Sequence, residues 1–381
     1  MGAHIKATGV SLPPAVVTND DLAKIMDTSD EWIVKRSGVR QRHIAAPGVG
    51  SAQLGAQAVV AAVEAAGLNA SDVDAIVSAT MTPDHYAPGN APLIQERAGL
   101  GPVAAFEIRQ QCGGFLYGLD MADMLIATER AETVVVVGAE AHRGYMPYGD
   151  SLDILLGLSD KAPTAEDYEM ATASRAWSVL FGDAGAAFVL QAGTESTGVL
   201  GSTLHSNGSL FELIHVPGPG FIHEPWSSVT QIEAGLHSPQ MNGAELFRQA
   251  VRLMPDSVRT VLEDAEYELD DLDLIVAHQA NQRILDGVAK QLGVGPEVVA
   301  SNIANYGNTT AATLPLLFHD CKNGGRVPEG TLPRVHCIWR WRSLGRIALP
   351  RAPIQLVVVA RTSSPRRSSL HDPSPCDVRH R

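Results

Sequence analysis

Phe106-Glu107-Ile108-Arg109-Gln110-Gln111-Cys112-Gly113-Gly114-Phe115-Leu116-Tyr117-Gly118 is the stretch around which the chain is organised. An apolar run from Val103 to Ile108, of the length of a buried strand, leads into it. A segment with apolar residues at helical spacing (Phe115, Leu119, Ala122, Leu125, Ile126) leads out. The stretch therefore reads strand, turn, helix, with Cys112 on the turn. Gly113 and Gly114 carry no Cβ, so a tight turn open to close approach by a ligand is expected there. Unpaired N–H groups and the dipole at a helix start favour a thiolate, the nucleophilic form of cysteine. A buried structural cysteine fits the same residues, and the local sequence leaves both readings open.

Working outward, a helix from Ser51 to Gly67 is followed by Asp72-Val73-Asp74-Ala75-Ile76-Val77-Ser78. The same arrangement returns as helix, then Asp271-Leu272-Asp273-Leu274-Ile275-Val276-Ala277. Each copy continues into another helix (near Pro92 to Gly99, and Arg283 to Gly293), a strand, and a glycine-bearing turn that opens a further helix. One turn holds Cys112-Gly113-Gly114 and the other Tyr306-Gly307-Asn308-Thr309-Thr310. Two similar βαβ halves indicate an internal duplication, and the repeat is expected to bring Cys112 and Asn308 to pseudo-equivalent positions facing one pocket. His278, in Ala277-His278-Gln279-Ala280-Asn281, follows directly on the repeat strand, at the end of an α/β sheet where sites are built. Upstream of both halves lie the strand His4 to Val10 and two short helices, with Asn19 and Ser29 as their expected N-caps. Trp32 and Arg36, four residues apart on the second helix, share a face. That pair suits a flat aromatic ligand such as adenine beside phosphates, and equally an ordinary surface cation–π contact.

At 381 residues the chain is too long for one ordinary core, and 45% hydrophobic content with 35 Gly fits a soluble α/β protein. Four cysteines without paired spacing argue against a disulfide framework or a zinc site and imply a reducing compartment. Met1-Gly2-Ala3-His4-Ile5-Lys6 has no signal-peptide pattern, and no apolar run is long enough to span a bilayer. Cytoplasmic location is expected, with no membrane and no metal. The net charge of −13 is divided unevenly: from Pro333 onward there are ten Arg, no Lys and two Asp, a net of +8, which leaves −21 for the rest. An acidic body without a recognised nucleic-acid motif argues against nucleic acid as a partner.

From about Ile5 to Leu332 the chain resembles the β-ketoacyl-acyl-carrier-protein synthase III family of the thiolase-like superfamily. The motifs that carry the resemblance are Thr28-Ser29-Asp30-Glu31-Trp32-Ile33 with Arg36-Ser37-Gly38, Gln111 to Leu119, Phe181-Gly182-Asp183-Ala184-Gly185-Ala186-Ala187, His278-Gln279-Ala280-Asn281 with Arg283-Ile284, and Gly307-Asn308-Thr309. The resemblance implies an α/β fold, a thiolase-like five-layer αβαβα sandwich of two duplicated halves, with residues 1–195 as the half carrying the nucleophile and 196–332 as the half carrying His and Asn. It also implies a homodimer. By the same resemblance Cys112 takes an acyl group from acyl-CoA, and malonyl on the acyl carrier protein then loses carbon dioxide while His278 and Asn308 hydrogen-bond its thioester carbonyl. The resulting carbanion attacks the acyl-cysteine, in fatty acid or polyketide-type biosynthesis, with no cofactor. Thr28, Trp32, Arg36, Arg175 and Asn281 match CoA contacts. Arg248, Arg283 and Lys290 match positions that dock the carrier protein.

The chain departs from the family in three places. Gln111-Cys112-Gly113-Gly114 stands where many relatives have Ala-Cys-Ser-Gly. The segment Tyr145 to Ser174 is longer than its equivalent, which fits either a cap on the acyl tunnel or a wider dimer interface. After Leu332 a Gly-rich turn is due, whose backbone N–H joins the oxyanion hole, and Pro333 to Gly345 does not match it. Residues 333–381, Arg-rich and without Lys, read as a frame-shifted segment with no evolved core pattern. Permitted codons for Pro333 to Gly345, read one nucleotide later, spell Arg-Val-Phe-Thr-Ala-Phe-Gly-Ala-Gly-Ala-His-Trp-Gly. On that reading the chain lacks two central strands and half of its oxyanion hole. A catalytically impaired homologue, or an acyltransferase delivering to an alcohol or amine, is the alternative function.

Overall fold

The computed structural model describes residues 2–193, 198–202, 204 and 206–327, and the backbone of the strands Arg334–Cys337 and Val357–Ala360. The first sheet has five strands in the order Ala3–Ser11, Ala184–Ala192, Thr133–Glu140, Ala75–Ala79, Ala104–Ile108. The last three run parallel, and Ala184–Ala192 is antiparallel to both of its neighbours. Four successive valines, Val134 to Val137, explain the central strand: branching at Cβ favours the extended backbone, and a strand covered on both faces needs no polar alternation. Val134 and Val136 pack with Phe115, Leu116 and Leu119 of the helix Gly114–Ala127. Val135, Val137 and Ala139 point the other way, into Ala58, Val59 and Ala62 of the helix Ser51–Ala65.

The helices Gly114–Ala127 and Thr313–Asn323 form the middle layer. Their Phe115, Leu119, Leu314, Leu317 and Phe318 share one core with Val136 and Phe188 of the first sheet and with Leu274 and Val276 of the second. Phe188 meets both helices edge-on, at 5.1 Å from Phe115 and 5.1 Å from Phe318. Each such ring, removed from water, contributes on the order of 1.5–3 kcal/mol. Outside the second sheet, the helices Gly243–Asp264 and Gln282–Leu292 add Met254, Val258, Leu285 and Val288 to the same core. The layers are therefore αβαβα, as the resemblance implies.

The duplication is visible in the backbone. Capping boxes at Asn69/Asp72 and Glu268/Asp271 precede strands that begin at Ala75 and Leu274. Gln111 and Thr310 both adopt positive φ, at 46° and 47°, and helices begin at Gly114 and Thr313. Every one of these pairs has the same separation along the chain. The spacing corrects one expectation: the counterpart of Cys112 is Ala311, and Asn308 lies three residues before it.

Two other expectations change. Thr18, not Asn19, caps the first helix, because its hydroxyl accepts from Asp21 N–H and the Asp21 carboxylate accepts from Thr18 N–H; Ser29 caps the second helix as expected. The second sheet, expected to lack two strands, has the order Leu274–Ala277, Val357–Ala360, Arg334–Cys337, Gly198–Gly201. A run of β-branched residues such as Val357-Val358-Val359 has strand-forming character of its own, and it pairs antiparallel with Leu274–Ala277. The remainder of 333–381, including the expectation that it is poorly ordered and the missing Gly-rich turn, lies outside the described residues.

Candidate active site

Cys112 sits in the 3₁₀ turn Gln111–Gly113, which runs directly into the helix Gly114–Ala127, so the strand-turn-helix reading holds. It is 6% exposed and not in a disulfide. The strain of the turn is not on its glycines. Gly113 and Gly114 have ordinary helical φ of −78° and −54°, whereas Gln111 is left-handed. A non-glycine residue in that region costs on the order of 1–2 kcal/mol and persists only where its surroundings impose it. Gly113 instead supplies space, since a Cβ there would meet nothing within 4 Å.

The second half supplies the nitrogen groups, His278 after its strand and Asn308 before its turn. His278 follows the strand Leu274–Ala277 and is 2% exposed; burial pushes its imidazole down to about 3, so the ring is neutral. Its Nδ1 lies 2.6 Å from Thr313 Oγ1, and its Nε2 is buried with no partner. Asn308 is fixed differently: its Oδ1 accepts from Thr310 N–H at 2.9 Å, which leaves Nδ2, the donor end, for a ligand. Thr310, β-branched yet left-handed, aims its N–H at Asn308 and its carbonyl at Thr313, so one strained residue sets both groups. The turns Gln111–Gly113 and Thr310–Ala312 pack against each other, which brings the cysteine segment to the segment that carries Asn308 and whose Thr313 contacts His278.

The first half also holds the second turn from behind. Asn308 N–H donates to Leu180 O at 2.7 Å and Gly182 N–H donates to Asn308 O at 3.2 Å, a parallel bridge across Phe181. Gly182 is required, because a Cβ there would stand against Tyr306 O closer than carbon and oxygen can approach. Asp183, also buried, accepts from Ala45 N–H, His142 N–H and His142 Nδ1. Glu140, missed at the level of sequence, ends the central strand fully buried. Its carboxylate accepts from the N–H of Met81, Thr82 and Ala311 and from the hydroxyl of Thr82. Its pKa is raised by burial, against the lowering effect of His142 and of the donors on Thr82, Thr310 and Met81. Its one sequence signal is a lone acid closing a run of buried residues.

With this geometry in place, comparison with known proteins is informative. Residues 106–208 match the family 3-oxoacyl-[acyl-carrier-protein (ACP)] synthase III, and residues 262–333 match its C-terminal family. The β-ketoacyl-[acyl-carrier-protein] synthase III of Erythrobacter litoralis is 38% identical over 333 residues, 87% of this chain and 93% of the relative. The chain belongs to the β-ketoacyl-acyl-carrier-protein synthase III family. The crystal structure of the Pseudomonas aeruginosa synthase III is similar at a TM-score of 0.75 and 33% identity, covering 96% of this chain and 99% of that one. That of the Aquifex aeolicus enzyme gives 0.74 and 31%, covering 94% and 100%.

The residues expected at CoA fall into two sets. Arg36 lies 4.1 Å from the Trp32 ring centre and Arg175 5.1 Å from it, so the three side chains meet; Arg175 also pairs with Asp27 at 2.7 Å. Thr28 adjoins them, its Oγ1 buried and without a partner. Asn281 is occupied by structure: its Oδ1 accepts from Arg283 N–H as the cap of the helix Gln282–Leu292, and its Nδ2 donates to Arg36 O at 2.9 Å. The long segment Tyr145 to Ser174 packs here rather than standing apart. Tyr148, Leu152, Leu155 and Ala171 are buried with Leu22, Ile25, Met26 and Ile33, against the helix that carries Trp32.

The basic residues lie on the two outer helices of the second half, which pack together. Arg283 stacks over Phe247 at 5.3 Å, Arg248 pairs with Glu245, and Lys290 is exposed two turns beyond Arg283. A groove of about 330 Å³ beside them is lined by Arg248, Arg252 and Arg259. Arg252 and Arg259 were missed in the sequence, although their spacing along one helix from Arg248 is readable there. Among the described residues, no helix is long and apolar enough to cross a membrane.

Proposed function

We propose that this chain is a decarboxylating condensing enzyme that joins an acyl-CoA primer to malonyl-acyl-carrier protein. Cys112 Sγ attacks the acyl thioester and CoA leaves as its thiol, carrying the proton of the cysteine. Malonyl-carrier then enters, its C–C bond to the carboxylate breaks, carbon dioxide leaves, and the electron pair is held as an enolate. Preorganised donors at that oxygen lower the barrier most, because the charge exists only there and then. The proposal assigns this role to His278 and Asn308, and the Oδ1 contact to Thr310, which leaves Asn308 Nδ2 available, supports it. The carbanion carbon attacks the acyl carbonyl on Cys112, and collapse releases 3-oxoacyl-carrier and the thiolate. This chemistry uses no metal or redox cofactor.

The observation that carries the reading is the packing of the Cys112 turn against the turn that positions one neutral imidazole and one oriented amide. Arg248, Arg252, Arg259, Arg283 and Lys290, set on an acidic body, suit an acidic carrier protein. Trp32, Arg36, Arg175 and Thr28 suit the adenine and phosphates of CoA. Tyr86, Phe221 and Trp226, mutually in ring contact and exposed beside Ile222, support a homodimer that covers them. The proposed location is the cytoplasm, and the domain division is 1–195, 196–332 and a tail of altered frame from 333. The test is acyl-CoA with carboxyl-labelled malonyl-carrier. Carbon dioxide release matched one-for-one by 3-oxoacyl-carrier is expected; acyl transfer without release would indicate delivery to an alcohol or amine.

A further inference from the structure

The central strand Thr133–Glu140 ends against the second turn. Gly138 and Glu140, two residues apart, face the same side of the strand, and both meet Ala311. At Gly138 a Cβ would stand closer to Ala311 O than carbon and oxygen can approach, so glycine there lets the turn lie on the strand. Glu140 takes the N–H of the same residue, its Oε1 accepting from Ala311 N–H at 3.4 Å. The rest of the carboxylate faces the first half. Oε2 accepts from Thr82 N–H at 3.1 Å and from the hydroxyls of Thr82 and Thr80 at 2.6 and 3.2 Å, and Met81 N lies 3.1 Å from both oxygens. One fully buried side chain thus joins the loop after the strand Ala75–Ala79 to the turn of the other half.

Ala311 follows Thr310, whose left-handed backbone aims its N–H at Asn308 Oδ1. A β-branched residue holds that conformation only where its neighbours over-determine it. On one side of Thr310, the backbone of Asn308 is tied to Leu180 and Gly182; on the other, Ala311 N–H is tied to Glu140. We propose that Glu140 is a positioning residue: by holding Ala311 N–H against the central strand it keeps Thr310 left-handed, and so keeps the Asn308 amide turned with Nδ2 toward the site. The role of Asn308 in this assignment rests on the condensing reading above, whereas the tie from Glu140 to the turn does not. The acyl-transfer half-reaction turns on the Cys112 thiol and depends on the tie far less.

The unequal surroundings of the two oxygens make Glu140→Gln a selective cut. Its amide has one acceptor, which belongs at the Oε2 position where four donors converge, so its NH₂ is left facing Ala311 N–H, donor against donor. Residue-resolved amide exchange reads the tie without activity: Ala311 N–H is protected in the wild-type protein, and in Glu140→Gln it exchanges about tenfold faster or more while Met81 and Thr82 keep their protection. Carbon dioxide release from malonyl-carrier falls about tenfold, with KM for malonyl-carrier little changed, while acylation of Cys112 stays within about twofold. A partly folded sample loses both half-reactions together, so their ratio reports the turn. Gly138→Ala, which pushes on the Ala311 carbonyl and leaves the carboxylate intact, shifts the ratio the same way. An Ala311 amide that exchanges freely in the wild-type protein overturns the assignment without any variant, as does an unchanged ratio in Glu140→Gln. Failure of the condensing reading looks different: the wild-type protein itself would release no carbon dioxide, while exchange at Ala311 would still respond to Glu140→Gln.

Discussion

The turns at Gln111–Gly114 and Thr310–Thr313 are copies of one backbone, each with a left-handed residue that is not glycine and each opening a helix into the same core. They differ in what the strain is used for. The first turn presents a thiol and leaves open space at Gly113. In the second, Ala311 occupies the place of Cys112, and the polar groups stand at Asn308 before it and at Thr313 after it, which reaches His278. On the proposed mechanism, one duplicated scaffold supplies both sides of a two-step reaction: a group that attacks, and groups that meet negative charge. The division between the turns can be tested one change at a time.

The largest separation is expected from His278→Ala and Asn308→Ala. Each removes a donor from developing charge and should lower malonyl decarboxylation by a factor on the order of 10²–10³. Self-acylation by acyl-CoA should change far less, because it belongs to the first turn. Equal loss of both half-reactions would show that the turns do not divide the work. Next in size is Gly182→Ala, which forces a Cβ against Tyr306 O and loosens the bridge that holds Asn308. A loss of about 1–3 kcal/mol in urea unfolding is expected, with decarboxylation hit harder than acylation. No loss would mean that the segment Leu180–Gly182 does not anchor the second turn.

A smaller effect concerns pH. The folded pKa of His278 is pushed down to about 3, whereas an unfolded histidine titrates near the ordinary value of 6.5. Below about 6.5 the unfolded chain therefore takes up a proton that the folded chain refuses. Stability should fall as pH drops from about 6.5 toward 3, and His278→Asn should remove about one proton from that slope. Unfolding midpoints at a series of pH values, with and without the substitution, measure it; identical slopes would show that His278 is not buried neutral. The smallest effect is expected at Gln111. Replacing it with Gly relieves left-handed strain of about 1–2 kcal/mol and adds about 0.5–1 kcal/mol of unfolded-state entropy, a net gain of up to about 1.5 kcal/mol. A clear loss of stability would show that the Gln111 side chain itself holds the turn.

The same contrast explains what the sequence could reveal. The valine run Val134–Val137, the helix start after Cys112 and the placement of His278 at a strand end follow from spacing and branching, which act locally, and all are present. The strain at Gln111 and Thr310 was not readable, because neighbouring glycines drew attention and it is tertiary packing that imposes φ on a residue that does not prefer it. Glu140 was missed for a related reason. A carboxylate at the end of a strand usually faces water, and only the folded chain brings three backbone donors to it. Asn281 shows the reverse, a residue singled out for a ligand whose amide is taken by a helix cap and by Arg36. The strands Arg334–Cys337 and Val357–Ala360, on a stretch expected to lack strands, show that local strand propensity operates there too.

The account depends most directly on the thiol of Cys112. Incubate the protein with a short acyl-CoA, map the adduct by mass spectrometry, then add malonyl-carrier. An acyl group on the peptide containing Cys112, none on Cys321, whose thiol burial pushes up to about 11, and discharge of the adduct as carbon dioxide appears are expected. A folded protein that stays unacylated, carries the group on Cys321, or holds it unchanged on Cys112 in the presence of malonyl-carrier would contradict it.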